Sequence, residues 1–308
     1  MNGVIQGFAI VGAIVATGYV LGRTEALGPQ GAGVLARLSF LIGLPSLMFS
    51  TLAQGDPDDV FSTPALVSFL STIAVISVFL AIAAVRRRPF ATGLLGALSA
   101  GYVNSTNLGV PLSHYVLGSA AFVTPIMLYQ LALITPVVLI TLDIRRSRGT
   151  SGSWKRRLVM PLRNPVTISA VLGVLVAASG TEVPQLIIEP VVLVANMTVP
   201  VMLLAFGMSL IGLRAEPVPR ESRWDVAIAI VLKVLVQPAI AIGLATWVFG
   251  LDATTVFAVA VCAALPTAQN VFIYAARYGE AEAVVRNVLL WTTIASAPVI
   301  LLMSQLFV

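Results

Sequence analysis

Apolar runs of about 20 residues, separated by short polar or charged punctuation, fill the chain from end to end. That length matches a helix crossing the hydrocarbon of a bilayer. Ten runs qualify: 4–22, 33–52, 64–85, 90–117, 119–142, 164–180, 187–211, 224–248, 253–277 and 283–304. The fourth and fifth are parted by little more than Gly118. The pattern predicts an all-α polytopic membrane protein with ten transmembrane helices. The opening run, MNGVIQGFAIVGAIVATGYVLG, lacks a basic leader and a small-residue cleavage site, so it reads as a retained first helix.

Composition agrees: of 308 residues 58% are hydrophobic and only 10% charged, against about 25% charged in soluble domains. The mean hydropathy is +0.98 and the pI about 9.8. In a soluble chain such basicity would suggest nucleic acid; here the bases mark topology, and no nucleic-acid partner is expected. Of 18 Lys and Arg, all but Lys233 fall in or beside the odd-numbered loops: Arg23 and Arg37; Arg86, Arg87 and Arg88; Arg145, Arg146, Arg148, Lys155, Arg156, Arg157 and Arg163; Arg214, Arg220 and Arg223; Arg277 and Arg286. Even-numbered loops carry no base, only acids such as Asp56, Asp58, Asp59, Glu182, Glu189 and Asp252. Basic loops stay cytoplasmic. Both termini are therefore expected on the non-cytoplasmic side. The short loops suit a multi-pass protein of a bacterial cytoplasmic (inner) membrane. Cys262, the single cysteine, has no intrachain disulfide partner.

The longest polar segment, Asp143 to Pro165, separates two sets of five helices, giving halves 1–150 and 151–308. Because five is odd, the halves enter the membrane from opposite sides, as two inverted five-helix repeats. LSFLIGLPSLMFSTL in helix 2 is similar to NMTVPVMLLAFGMSL in helix 7, and helices 4 and 9 each hold Asn beside Pro in an apolar context. Paired interruptions at corresponding places point to a transporter's binding site. Proline lacks an N–H and clashes with the carbonyl four residues back, so Pro111 would free the carbonyl of Asn107 and Pro266 that of Cys262, with Gly109 weakening the turn. Taken singly, each proline reads first as a kink relieved by neighbouring helices; two breaks at matching positions, each with Asn beside Pro, turn the reading to a substrate site. Asn104 lies about 21 Å of helix from Phe90, and Pro266 about 20 Å from Ala253. Broken helices 4 and 9 would then cross near the membrane centre. Partially positive N-terminal ends converging there suit a carboxylate, and the preceding C-terminal ends suit Na+.

The substrate-binding candidates are Asn104, Asn107, Gly109, Pro111, Pro266, Thr267, Gln269 and Asn270. Lys233 is the only base inside a span, about 13 Å from Trp224 along the helix. Its readings are attraction of an anion, a lock between helices, or a side chain snorkelling to the interface. Gln237 lies one turn on, on the same face. His114, the only histidine, reads as a proton site or an interfacial residue. Gln130 and Asn196 read as lining residues or helix bridges. Met48, Met127, Met202 and Met208 read as packing. No Asp or Glu is read as embedded in a span, and no catalytic or metal site is expected. The sequons at Asn104 and Asn196 lie inside spans and are set aside.

NSTNLGVPL (104–112) and LPTAQNVFIYAARYG (265–279) resemble the two crossover signatures of the auxin efflux carrier family, and LLAFGMSL and LKVLVQP resemble its helices 7 and 8. The resemblance covers nearly the whole chain. It implies a plan shared with the bile acid/sodium symporters: a scaffold of helices 1, 2, 6 and 7, a transport domain of helices 3–5 and 8–10, and elevator-like movement. It further implies organic anion substrates, auxin in plant members and malate or malonate in bacterial ones. Asn104, Asn107, Pro111, Pro266 and Asn270 match its crossover residues. The plant carriers' long central hydrophilic loop is missing.

The resulting expectation is a secondary transporter of small organic anions. The alternative is a sodium-coupled symporter of the bile acid type. An intramembrane enzyme is disfavoured, since one His and one Cys assemble neither a triad nor a metal cluster. A sensor would bind ligand without moving it. The expected partners are the anion and the lipid bilayer, with a homodimer compatible. No cofactor is expected, and the coupling ion, Na+ or H+, is open.

Overall fold

The computed structural model describes residues 2–54, 62–119, 121–146, 165–181, 183–212 and 217–307. The acids at 56, 58, 59 and 182 and the bases at 148, 155, 156, 157, 163 and 214 lie outside the described residues. Among those described, the chain is all helix apart from turns and a single two-residue bridge. The helices are α1 (Asn2–Arg23), α2 (Gly31–Ala53), α3 (Thr63–Val85), α4 (Phe90–Gly101), α5 (Val110–Leu117), α6 (124–146), α7 (Pro165–Ser179), α8 (Gln185–Ser209), α9 (Arg220–Val248), α10 (Ala253–Ala263), α11 (Gln269–Tyr278) and α12 (Glu282–Phe307). Five are long and apolar enough to cross a membrane: α2, α3, α8, α9 and most of α12. They leave large apolar side chains uncovered, among them Val85, Leu186 and Trp247, each more than 80% exposed, as lipid-facing positions require. This is a multi-pass membrane protein.

Four of the prolines are absorbed in the same way. Wider π turns at Ser39–Gly43, Ser105–Gly109, Gln130–Ile134 and Leu232–Val236 each end two residues before a proline: Pro45, Pro111, Pro136 and Pro238. Leu44, Thr135 and Gln237 donate their N–H groups five residues back, to Ser39, Gln130 and Leu232. Widening the turn relieves the clash between the proline ring and the carbonyl four residues back. Pro190 and Pro200 in α8 and Pro298 in α12 likewise sit inside unbroken helices.

The chain folds as two compact units, each drawing on both halves of the sequence: Met1–Ile5, Thr63–Gly109 and Leu213–Val308 in one, Gln6–Ser62 and Val110–Gly212 in the other. The first holds α3, α4 and α9–α12. Val75, Phe79 and Ala83 of α3, Ala97 and Ala100 of α4, Ala229 and Leu232 of α9, and Val284 and Val288 of α12 form one apolar cluster. Val67 of α3, Ala241 and Ala245 of α9, and Val256, Val259 and Ala263 of α10 form another. Small residues set the spacing, because lipid supplies no hydrophobic drive between helices and close packing must. A Cβ on Gly96 would stand 2.6 Å from the Phe79 ring. At the N-terminal end of α9, Asp225 is buried and pairs with Arg86 (3.1 Å) and Arg88 (2.8 Å), whose guanidinium groups also donate to the Glu221 carbonyl. Two arginines thus neutralise a carboxylate at the edge of the eighth apolar run.

In the second unit α2 packs on α7 and α8, with Gly43 against Thr198 and Gly173 against Phe49 and Leu52. Gly18 and Gly207 bring α1 and α8 into backbone contact: a Cβ on either would collide with the other helix's main chain. Met48, Met127, Met202 and Met208 are buried as packing residues. By packing, α5 and α6 belong with this unit.

Candidate functional site

Two helices of the first unit stop in mid-course and meet. α4 ends at Gly101 and α10 at Ala263, and their extended continuations pair as a short antiparallel bridge, Val103 against Thr267. Asn104 N–H donates to the Pro266 carbonyl (2.7 Å) and Ala268 N–H to the Tyr102 carbonyl (3.1 Å). The exposed polar groups of one break thus satisfy the other. Lipid could not do this, so each break stabilises its partner. Thr267 is fixed further: its hydroxyl donates to the Ser99 carbonyl (2.6 Å) and its N–H to the Thr292 hydroxyl (3.1 Å).

The break before α5 falls at Tyr102–Asn104, seven residues ahead of Pro111. This corrects the expectation that Pro111 makes it. Pro111 sits inside the helix that follows, relieved by the π turn Ser105–Gly109, in which Gly109 N–H reaches the Asn104 carbonyl (2.8 Å). Pro266, by contrast, lies within its break. The Cys262 carbonyl it was expected to free accepts instead from Leu265 N–H in a tighter turn (3.4 Å).

Each second half-helix begins beside the bridge. Asn104 caps the one that starts at Ser105, its Oδ1 accepting from Asn107 N–H (3.1 Å). The Asn107 side chain donates to Gln269 Oε1 (3.1 Å), at the start of α11. The two N-terminal ends are therefore tied to each other. Asn104 is 2% exposed, yet its Nδ2 has no hydrogen-bond partner. A buried amide donor without an acceptor costs on the order of 1–3 kcal/mol. Asn107, Gln269 and Asn270 are half-buried around it.

The C-terminal ends are held from α9. Lys233 is fully buried, which excludes the snorkelling reading, and its Nζ donates to Gln237 Oε1 (2.6 Å) and to the Ala263 carbonyl, the last of α10 (2.8 Å). Gln237 Nε2 donates to the Gly101 carbonyl, the last of α4 (3.1 Å), and to the Thr72 hydroxyl (3.1 Å). The π turn Leu232–Val236 that accommodates Pro238 carries Lys233.

The structure thus gathers Asn104, Asn107, Gly109, Pro266, Thr267, Gln269, Asn270, Lys233 and Gln237 in one unit. Pro111, His114 and Gln130 belong to the other: His114 is exposed against Tyr115, and Gln130 is buried at the head of a π turn. Asn196 is exposed. Sequence reasoning missed Thr72, Ser99 and Thr292. Each is a hydroxyl residue or a carbonyl in a plain apolar helix, and nothing in its local sequence signals the role. Among the described residues no group of His, Cys, Asp and Glu is arranged to hold a metal ion.

A transporter of Methanothermobacter thermautotrophicus, itself uncharacterised, is 25% identical over 235 residues, covering 75% of this chain and 74% of its own. The membrane transport protein family matches twice in succession, over residues 4–153 and 152–304. Through these two matches the chain belongs to the membrane transport protein family, that of the auxin efflux carriers, and is a transporter rather than an enzyme.

Proposed function

We propose that the protein is a secondary carrier of small organic anions, taking a carboxylate such as malate, malonate or an auxin-like monocarboxylate at the crossover. One observation carries this reading: the buried Asn104 amide has a free donor at the point where two half-helices begin. The first N–H groups of a helix lack partners within it, and the helix end favours negative charge. A donor without an acceptor calls for an acceptor, and the helix ends beside it favour an anionic one. Asn107, Gln269 and Asn270 supply further amides beside it.

The proposed frame is ten crossings in two inverted five-helix repeats, 1–150 and 151–308, with both termini on the non-cytoplasmic side of an inner membrane. Alternating access is of the elevator type, with the crossover unit, which holds helices 3 and 8–10 and the first part of helix 4, carried against helices 1, 2, 6 and 7. A sodium-coupled symporter of the bile acid type would use the same crossover. Counterflow in proteoliposomes tests the carrier reading: liposomes preloaded with one carboxylate should accumulate its labelled form, and Asn107→Ala should abolish the accumulation. A panel of carboxylates that binds the purified protein without any of them moving would refute transport and leave a sensor.

A further inference from the structure

The C-terminal ends of α4 and α10 present their last carbonyls toward α9, and both are already held. Lys233 Nζ donates to Ala263 O and to Gln237 Oε1, and Gln237 Nε2 passes the contact on to Gly101 O. Each helix C-terminus carries roughly half a negative elementary charge. Two ends together present about one, which a single ammonium balances. A second cation at the same place would leave about one uncompensated positive charge in a dry interior, where burial is costly. The acceptors of Lys233 are neutral. Asp225, the buried acid on the same helix, lies eight residues earlier, about 12 Å along the axis, and is taken by Arg86 and Arg88.

We propose that the Lys233 ammonium is a resident cation, standing where a dissociable coupling cation such as Na+ would otherwise hold the two broken helices together, so that transport runs without Na+. The claim about transport rests on the carrier reading; the claim about the cation site does not. Tethering makes the difference: the lysine travels with its helix and is never released, so it contributes no ion gradient to the cycle.

The test is thermal melting of the purified protein in Na+ against choline at constant ionic strength. The wild-type protein should melt at the same temperature in both. Lys233→Ala should melt lower and recover by about 3 °C in Na+ or in ethylammonium, since either cation fills the vacated place. A Na+ effect on the wild-type protein, or a variant rescued by neither cation, overturns the proposal. Should Lys233→Ala yield no folded protein, Gln237→Glu decides. It cancels the lysine charge and sets a carboxylate beside the Gly101 carbonyl and the Thr72 hydroxyl, and it should acquire Na+-dependent melting. A variant indifferent to Na+ would count against the resident-cation role. In proteoliposomes, uptake with Na+ replaced by choline should be unchanged; uptake that needs Na+ overturns the proposal. If no carboxylate moves in either salt, the carrier reading fails while the melting experiment still decides the cation site.

Discussion

Asn104 has two separable duties, and substitutions can divide them. Its Oδ1 caps the half-helix that starts at Ser105, while its Nδ2 is buried without a partner. Serine is about as good an N-cap as asparagine but has no amide, so Asn104→Ser keeps the cap, removes the unpartnered donor and should stabilise the protein by up to about 1–3 kcal/mol. Leucine is closer in size, also lacks the amide and cannot cap; Asn104→Leu should be about 1–2 kcal/mol less stable than Asn104→Ser. For the ligand the two variants should be alike. A hydrogen bond to a charged acceptor is worth about 1.5–3 kcal/mol, so losing it weakens carboxylate binding about 10- to 150-fold. Stability is read by melting in detergent, affinity by equilibrium binding of the carboxylate that counterflow selects. Wild-type affinity in Asn104→Ser would refute the assignment of Nδ2 as a ligand donor. An Asn104→Leu protein as stable as Asn104→Ser would refute the cap.

Three further outcomes follow from the same geometry. Thr267→Val keeps the shape but leaves the buried Ser99 carbonyl without its donor (2.6 Å in the wild-type protein); melting should report a loss of about 1–3 kcal/mol. Asp225→Ala strands Arg86 and Arg88 and should cost about 2–3 kcal/mol, less than a fully enclosed pair because Arg86 is 32% exposed; melting of Asp225→Ala against Asp225→Asn measures it. Asp252, outside the spans, caps α10 through Thr255, and the Thr255 hydroxyl, with help from its N–H, holds the carboxyl below the usual carboxylate range. A depressed folded pKa means stability that is present above the unfolded value, about 3.9, and is lost as pH falls through the folded one. The advantage of the wild-type protein over Asp252→Ala should therefore be constant near neutrality and shrink only below about pH 4.

What the sequence reveals depends on whether a signal is local. Apolar run length placed the helices, because hydrocarbon thickness fixes a length that composition must match. The pairing of Asn with Pro in helices 4 and 9 marked the breaks, because polar, helix-poor residues in lipid need a reason to be there. The first break lies at Asn104, where the sequence put its depth, but its cause was misread, since a proline is not a break in itself. Pro111 is absorbed by a π turn, as Pro45, Pro136 and Pro238 are, whereas the real stop at Tyr102 is imposed by pairing with Pro266, Thr267 and Ala268. That pairing joins residues more than 160 positions apart, and no local rule contains it. The same holds for Asp225: acidic at the edge of an apolar run, it reads as a surface residue until Arg86 and Arg88 are brought to it.

The crossover has an asymmetry that follows from counting its groups. Breaking two helices at one place exposes two sets of carbonyls and two sets of N–H groups. The carbonyl side is held at four places: Ser99 is met by Thr267, Gly101 by Gln237, Cys262 by Leu265 and Ala263 by Lys233. Beside the N–H ends, the Asn104 side chain keeps a buried donor with nothing to receive it. A site whose negative ends are permanently held and whose positive ends are left wanting has a definite polarity. It stabilises an incoming acceptor and offers little to an incoming donor. A cation arriving there would displace Lys233 from bonds of 2.6 and 2.8 Å, whereas an anion has only to fill a donor the fold has already desolvated. That difference, more than the presence of any single residue, supports an anionic cargo.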